Sequence, residues 1–281
     1  MVFYPSSKKS LLETLDRCFD QTDHKKPAGK IRTGIAPHAG YAYSCPQAMA
    51  TFDAIIGQKH PPQTIILIGT DHHDYTKCID NNIIQTPLGT IPMDMDMTQE
   101  ITSKSSMESC KNNIIHKEHS IDNQLPIIKY LSDKYQHSVS VVPIIFNEDD
   151  SAQETLDQLA VALEKTVMTR NNVAVVVSTD FMHHQEKNIT KRRAKTLKER
   201  INILLTPVEQ GNTEQLQKVI KKKGSFGACG LSGIKLLTHL NKTLHLNSHR
   251  LSLQSSCDIS FQQGRPCDYE VVYLSEVFGD E

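Results

Sequence analysis

Short apolar runs rich in isoleucine and valine alternate along this chain with stretches whose apolar residues recur every three or four positions. The runs predict strands at 31–36, 64–69, 139–145, 173–178 and 270–275. The periodic stretches predict helices at 7–19, 46–56, 121–135, 152–167, 187–205, 213–222 and 231–241. TIILIG and VAVVVS are apolar through their cores, which suits central strands covered by helices on both faces. The expected fold is therefore α/β, with a central, mostly parallel sheet. Residues 85–113, broken by Pro87, Gly89 and Pro92, are irregular and suit a hairpin and a short helix. No repeat or linker-like tract marks a boundary, so one domain over 1–281 is expected.

Composition narrows the classes. The 281 residues carry 31 Lys and Arg against 32 Asp and Glu, and 38% are hydrophobic. Disorder needs low hydrophobicity with high net charge, so a packed core is expected instead. A net charge of −1 argues against a protein built to hold a nucleic-acid backbone. The basic run 191–200 interleaves Ala194, Leu197 and Ile201 at helical spacing, so its cations form a solvated helix face. No apolar run approaches the roughly 20 residues that cross a bilayer. The opening residues hold Lys8 and Lys9 with no apolar stretch behind them, so a cytoplasmic location is expected. Seven scattered cysteines without CxxC spacing are then expected to be reduced thiols.

Three strands end in similar text. The first is followed by Pro37-His38-Ala39-Gly40-Tyr41, the second by Thr70-Asp71-His72-His73-Asp74, and the fourth by Thr179-Asp180-Phe181-Met182-His183-His184. Parallel strands place their carboxyl ends on one sheet edge, outside which α/β ligands bind. Five imidazoles and several carboxylates are thus aimed at one place. In extended backbone His72 and His73 point opposite ways, so one of them faces the cleft, and His183 and His184 raise the same choice. Asp180 also suits a helix N-cap. Glu118 and His119 either face the cleft or merely open a helix capped by Ser120. Cys229, between glycines before the helix at 231, is either a small apolar filler or a thiol made acidic by the helix N-terminus. Two imidazoles and a thiolate would leave open positions on a metal, which implies chemistry rather than a structural role. Imidazole suits iron, copper and zinc alike.

APHAGY at 36–41, GxxHH at 69–73, EHS at 118–120, SxDFxH at 178–183 and GxCG at 227–230, with Phe3-Tyr4-Pro5 before them, resemble the ordered motifs of the Memo family. In prokaryotes the family is called AmmeMemoRadiSam system protein B. The resemblance implies a fold like class III extradiol dioxygenases, with His38, His72 and Cys229 as metal ligands for iron(II) or copper, zinc being less favoured. It also implies His183 as an acid/base group beside Asp180, with Asp71, Glu118, His119 and Tyr41 lining the pocket. Asp71 beside His72 would favour a cation and disfavour a phosphate ligand. Association with AMMECR-type and radical SAM proteins is implied by the family name. Three functions follow: a dioxygenase-like redox enzyme, a non-catalytic binder of a peptide or partner in the same cleft, or a metal-dependent hydrolase.

Overall fold

The computed structural model describes residues 3–23, 26–73, 77–79, 83–110, 114–146, 153–224 and 226–280. Asp74 of the second strand-end motif, the helix start at Ala152 and the last residues of the irregular stretch, 111–113, lie outside them.

The chain opens with α1 (Lys8–Asp20), whose N-cap Ser7 accepts from the Ser10 amide at 3.2 Å and whose Leu11, Leu15 and Cys18 are buried on one face. β1 (Ile31–Ala36), α2 (Tyr41–Ile56) and β2 (Thr64–Thr70) follow. The irregular stretch holds β3 (Cys78–Ile79), the hairpin β4 (Ile84–Thr86) and β5 (Gly89–Ile91), α3 (Met95–Ser105) and β6 (Glu108–Ser109). Next come α4 (His119–Asp122), α5 (Leu125–Lys134), β7 (Ser140–Phe146), α6 (Gln153–Thr169), β8 (Val173–Ser178) and β9 (Phe181–Gln185). The last third is α7 (Lys191–Arg200), α8 (Asn202–Glu209), α9 (Thr213–Lys223), α10 (Leu231–Leu244), β10 (Asn247–Ser255), α11 (Ser256–Gln262) and β11 (Tyr269–Gly279).

Strand order in the main sheet is β10-β11-β1-β8-β2-β7-β3-β6, with β9 also on β11. The centre, β1-β8-β2-β7, is parallel, whereas β11 runs antiparallel to β1, β9 and β10, and β3 antiparallel to β7. The α/β expectation with a parallel centre holds, and the sheet as a whole is mixed rather than purely parallel. Its antiparallel flank is built on β11, which pairs antiparallel with β1, β9 and β10 and is joined to β10 through α11. Side-chain alternation splits the core into two layers. Ile66 and Ile68 pack toward α6 and α10, while Ile65 and Leu67 pack toward α2 and α5.

Three elements depart from the pattern reading. The helix expected over 121–135 breaks at Asn123-Gln124, because Pro126 has no amide to bond backward and starts α5 instead. The helix expected over 187–205 starts only after Thr190, which accepts from the Arg193 amide at 3.2 Å, and is divided at Ile201. After Asp180 there is no helix but β9, whose pairing partner β11 lies some 90 residues away, so no local pattern announces it. Among the described residues no helix is long and apolar enough to cross a membrane.

The expectation of reduced thiols is wrong. Disulfides join Cys18 to Cys45, Cys78 to Cys110 and Cys257 to Cys267, across 27, 32 and 10 residues, and Cys229 alone is free. Spacing does not reveal these pairs, since each depends on packing, as when α1 lies against α2. The expectation of reduced thiols rested on the expected cytoplasmic location, a compartment in which disulfides are rare. In denaturant without reductant, a thiol alkylating reagent should add a single label, at Cys229; additional labels on Cys18, Cys78 or Cys257 would contradict the pairing.

Candidate metal centre

The carboxyl ends of β1, β2 and β8 lie side by side, because these strands are parallel neighbours in the order β1-β8-β2. His38 follows β1, His72 follows β2, and Thr179-Asp180 follows β8. The turn before α10 brings Cys229 to the same edge, with its amide donating to the Asp180 carbonyl at 3.2 Å. The Nε2 or Nδ1 atoms of His38 and His72 and the Sγ of Cys229 all lie within 4.8 Å of one another.

Each imidazole is held by its other nitrogen. His38 is buried, its Nδ1 lies 3.1 Å from Ser178 Oγ, and its Nε2 lies 3.2 Å from Cys229 Sγ. Gln124 Nε2 donates to the same Ser178 oxygen at 3.0 Å, so that oxygen is fixed in place. The His72 Nδ1–H donates to Glu118 Oε1 at 2.8 Å, and the His72 amide donates to Oε2 at 2.9 Å. A carboxylate behind a histidine sets the tautomer and frees Nε2 for a metal. Tetrahedral bonds of about 2.0 Å to nitrogen and about 2.3 Å to sulfur put neighbouring N and S donors about 3.5 Å apart, close to the His38–Cys229 separation. The residues therefore fit a metal.

Electrostatics agree. Burial and the neighbouring His72 push the His38 imidazole down to about 3, so it is neutral and its lone pair is available. Burial by itself would raise the Glu118 carboxyl, but hydrogen bonds from the His72 ring and from the His72 and Ser120 amides hold it at about 2. The Cys229 thiol runs against expectation. Burial, and then the Asp180 charge, push it up to about 12, outweighing the helix N-terminus that was expected to acidify it. Sγ accepts from the Asp180 amide at 3.1 Å. A thiol in such a place ionises when a cation shares it.

The choices left open in the sequence are settled by direction. Both histidines are exposed residues, but the His72 ring turns to Glu118 with 26% of its side chain exposed, whereas the His73 amide donates to Asp71 Oδ1 at 2.9 Å. Asp71 thus holds the turn. His183 places Nδ1 2.7 Å from the Gly227 carbonyl, while His184 pairs with Glu186 at 2.9 Å. Asp180 caps no helix; its Oδ1 accepts from the His38 amide at 2.9 Å. His119 joins the cluster, its ring 4.2 Å from that of His72 and 5.2 Å from that of His38. Burial and these two neighbours lower the His119 imidazole to about 3. His72, Glu118 and His119 form a second set of close donor atoms, but Glu118 is already engaged in orienting His72.

Phe3 and Tyr41, already suspected, shape the site together with Asn123 and Gln124, which the sequence did not single out. Phe3 stacks on His119 with ring centres 4.6 Å apart and planes within 6°. Asn123 donates to the His38 carbonyl at 2.7 Å, and Gln124 to the Pro37 carbonyl at 2.8 Å. Two adjacent side-chain amides, Asn123 and Gln124, separated from Pro126 by Leu125 alone, were the available signal. Tyr41 donates its hydroxyl to the Asn123 carbonyl at 2.7 Å and, with Phe3 and Tyr4, lines a cavity of about 620 Å³. His119 lines another of about 310 Å³ on the other side of Phe3 and Tyr4. Two glycines are required by contact. A Cβ on Gly69 would lie 2.5 Å from Ser120 Oγ, and one on Gly227, at φ +68°, would lie 2.6 Å from the His183 amide. Met182 and Phe226 adopt φ of 55° and 52°, and the Met182 amide donates to the Phe226 carbonyl at 2.9 Å, which ties the His183 segment to the turn that carries Cys229.

Comparison with known proteins places the chain among relatives. A MEMO1 family protein of Thermococcus onnurineus is 30% identical over 293 residues, covering 98% of this chain and 96% of that protein. One from Nitrosopumilus maritimus is 27% identical, covering 92% and 90%. The crystal structure of uncharacterized protein JW3007 from Escherichia coli K12 is similar in fold, with a TM-score of 0.51 at 10% identity over 88% of this chain and 100% of that one. The family model described as Memo-like protein matches residues 2–274, and the chain belongs to that family.

Proposed function

We propose that the cluster is a mononuclear metal centre supporting redox chemistry of the dioxygenase type on a small substrate, with His38, His72 and Cys229 as ligands of iron(II) or copper. The observation that carries this reading is that three donor atoms from separate chain segments converge within 4.8 Å, while both imidazoles are already oriented through their remaining nitrogens. When bound, such a metal supplies an electron-transfer centre with open positions for a small oxidant. The chain itself provides the rest. Ser178 and Glu118 hold the imidazoles, and Phe3 shields His119 from water on one face. Asp180, which burial raises to about 6, is poised to hold a proton near neutrality. His183 donates Nδ1–H to Gly227, which leaves Nε2 free to take a proton and return it.

A second reading, a binding protein without turnover, is favoured by the cavity beside Phe3, Tyr4 and Tyr41, which suits a polar peptide as well as a small molecule. Elemental analysis of protein purified without oxygen, followed by spectroscopy of the bound metal, decides between them. Stoichiometric iron or copper that changes oxidation state supports the redox enzyme. Zinc alone points to a hydrolase, and a metal-free protein that still binds a partner points to the second reading.

His183 separates turnover from metal binding. His183→Gln should keep metal at the wild-type level while slowing any metal-dependent oxidation by about 10² to 10⁴-fold, the usual contribution of an acid/base group. Loss of metal equal to that of His72→Ala would make His183 a ligand, and unchanged activity would remove it from the reaction.

A further inference from the structure

Cys257, Cys267 and Glu270 form another set of donors whose two Sγ atoms and one carboxylate oxygen lie within 4.8 Å of one another. None of them belongs to the centre described above. Cys257 and Glu270 have no exposed surface, and Cys267 is 5% exposed. The two sulfurs are joined, and sulfur in a disulfide is not a thiolate ligand. Glu270 supplies an independent sign of a missing partner. Its Oε2 accepts from the Cys257 amide at 3.2 Å, but its Oε1 is buried and has no hydrogen-bond partner. Buried carboxylate oxygens are normally satisfied, so an orphan beside two sulfurs is unusual. The two cysteines themselves pack against Ile189, Ala194 and Phe261, whose side chains offer no donors.

The arrangement in the chain suits a change of state. Cys267 and Glu270 stand two residues apart, the short spacing common in tetrahedral thiolate sites, while Cys257 comes from α11. Residues 262–266 and 268–269 are exposed, so Cys267 is a single buried residue within a loop that a reductant can reach.

We propose that Cys257, Cys267 and Glu270 are a redox-gated zinc site, closed by the disulfide and opened to Zn²⁺ by reduction. A small dithiol attacks one sulfur, the Cys257–Cys267 bond breaks, and closure of the reagent's own disulfide passes two electrons and two protons to the cysteines. Zn²⁺ then displaces the two thiol protons and takes both thiolates and the Glu270 carboxylate, with a water molecule completing four donors. Two soft sulfurs and one hard oxygen in a buried setting favour zinc. The covalent bond in one state and the metal in the other hold α11 to the start of β11, so the fold there persists while zinc is taken up or released.

The test uses the full chain carrying Cys229→Ser, which removes the free thiol of the other centre, with cobalt(II) as the spectroscopic probe and zinc as the competitor. After treatment with dithiothreitol and anaerobic desalting, this protein should develop a thiolate-to-cobalt charge-transfer band that zinc abolishes, and the untreated protein should not. Adding Cys267→Ser should eliminate the band. Adding the isosteric Glu270→Gln, which spares both sulfurs and the fold, should weaken cobalt binding by more than about 100-fold, beyond what a residue merely orienting a ligand contributes. Oxidation with glutathione disulfide should release the metal. A band that survives Cys267→Ser would come from the other cysteine pairs and overturn the proposal. So would its absence in reduced protein with an unchanged circular dichroism spectrum, or full affinity in Glu270→Gln.

Discussion

Replacing His38 or His72 by alanine is expected to abolish stoichiometric binding of iron(II) or copper(I), measured by equilibrium dialysis under anaerobic conditions, while the far-ultraviolet circular dichroism stays that of the wild type. The argument is one of position. His38 and His72 each end a separate strand of the parallel centre, and each has one nitrogen committed to a partner and one within reach of Cys229. Removing a ligand leaves two donors, too few to compete with water. Removing a residue behind a ligand should cost only about 10 to 100-fold in affinity. Glu118→Gln is the comparison, because it keeps the shape but gives up the carboxylate charge that faces the His72 Nδ1–H. Its loss should stay within that range. The ligand assignment fails if both alanine variants bind metal as the wild type does, or if Glu118→Gln loses as much as they do.

Stability should fall as pH rises from about 5 to 8, and Glu276→Gln should remove a large share of that fall. Glu276 lies in β11 opposite Arg250 of β10, has no exposed surface, and accepts from Ser248 Oγ at 2.6 Å with Arg250 Nε at 3.6 Å. Burial dominates those partners and raises its carboxyl from 4.5 to about 7. A group whose pKa is higher in the folded state binds its proton more tightly there. Its contribution is therefore complete below the unfolded value and is lost as pH climbs through the folded one. At about 1.4 kcal/mol per pH unit, the loss attributable to Glu276 is about 3 kcal/mol. Glu270, which burial likewise raises to about 7, adds a fall of the same sign in the same window. Asp180, raised to about 6, adds to the fall, and His38 and His119, lowered to about 3, oppose it below about pH 6.5, so the test is the difference between the proteins: in urea melts across the interval the fall should be smaller in Glu276→Gln by about 3 kcal/mol. A slope equal to that of the wild type would mean that Arg250 keeps Glu276 ionised throughout.

Both predictions begin from features that differ in how visible they are along the chain. Ile65, Ile66, Leu67 and Ile68 are all buried, so the strand they form is readable as an uninterrupted apolar run, and the same holds for 173–177. Helix faces such as Leu11, Leu15 and Cys18 are readable because burial on a helix repeats with its own turn. The approach of His38 and His72 was also legible, since parallel strands bring their carboxyl ends together whatever their separation in sequence, whereas Cys229, in the turn before α10, was joined to them only through the family resemblance. With the family motifs, this determined which residues to suspect.

Tertiary structure decided the rest, and in each case the reason is a contact between distant residues. The inward turn of His72 rather than His73 depends on Glu118, 46 residues away, which binds both the His72 amide and its ring. The high pKa of Cys229 comes from burial and from Asp180, neither of which a helix-start motif expresses. β9 exists because β11 offers it an edge, and the sheet is mixed because β11 pairs antiparallel with β1, β9 and β10, and β3 with β7. The disulfides follow from the packing of α1 on α2 and of α11 beside the start of β11, where chain folding brings together cysteines that spacing keeps apart. Hydrophobic periodicity is a local property that each segment carries by itself, whereas ionisation, pairing and side-chain direction are set by neighbours that exist only once the chain has folded.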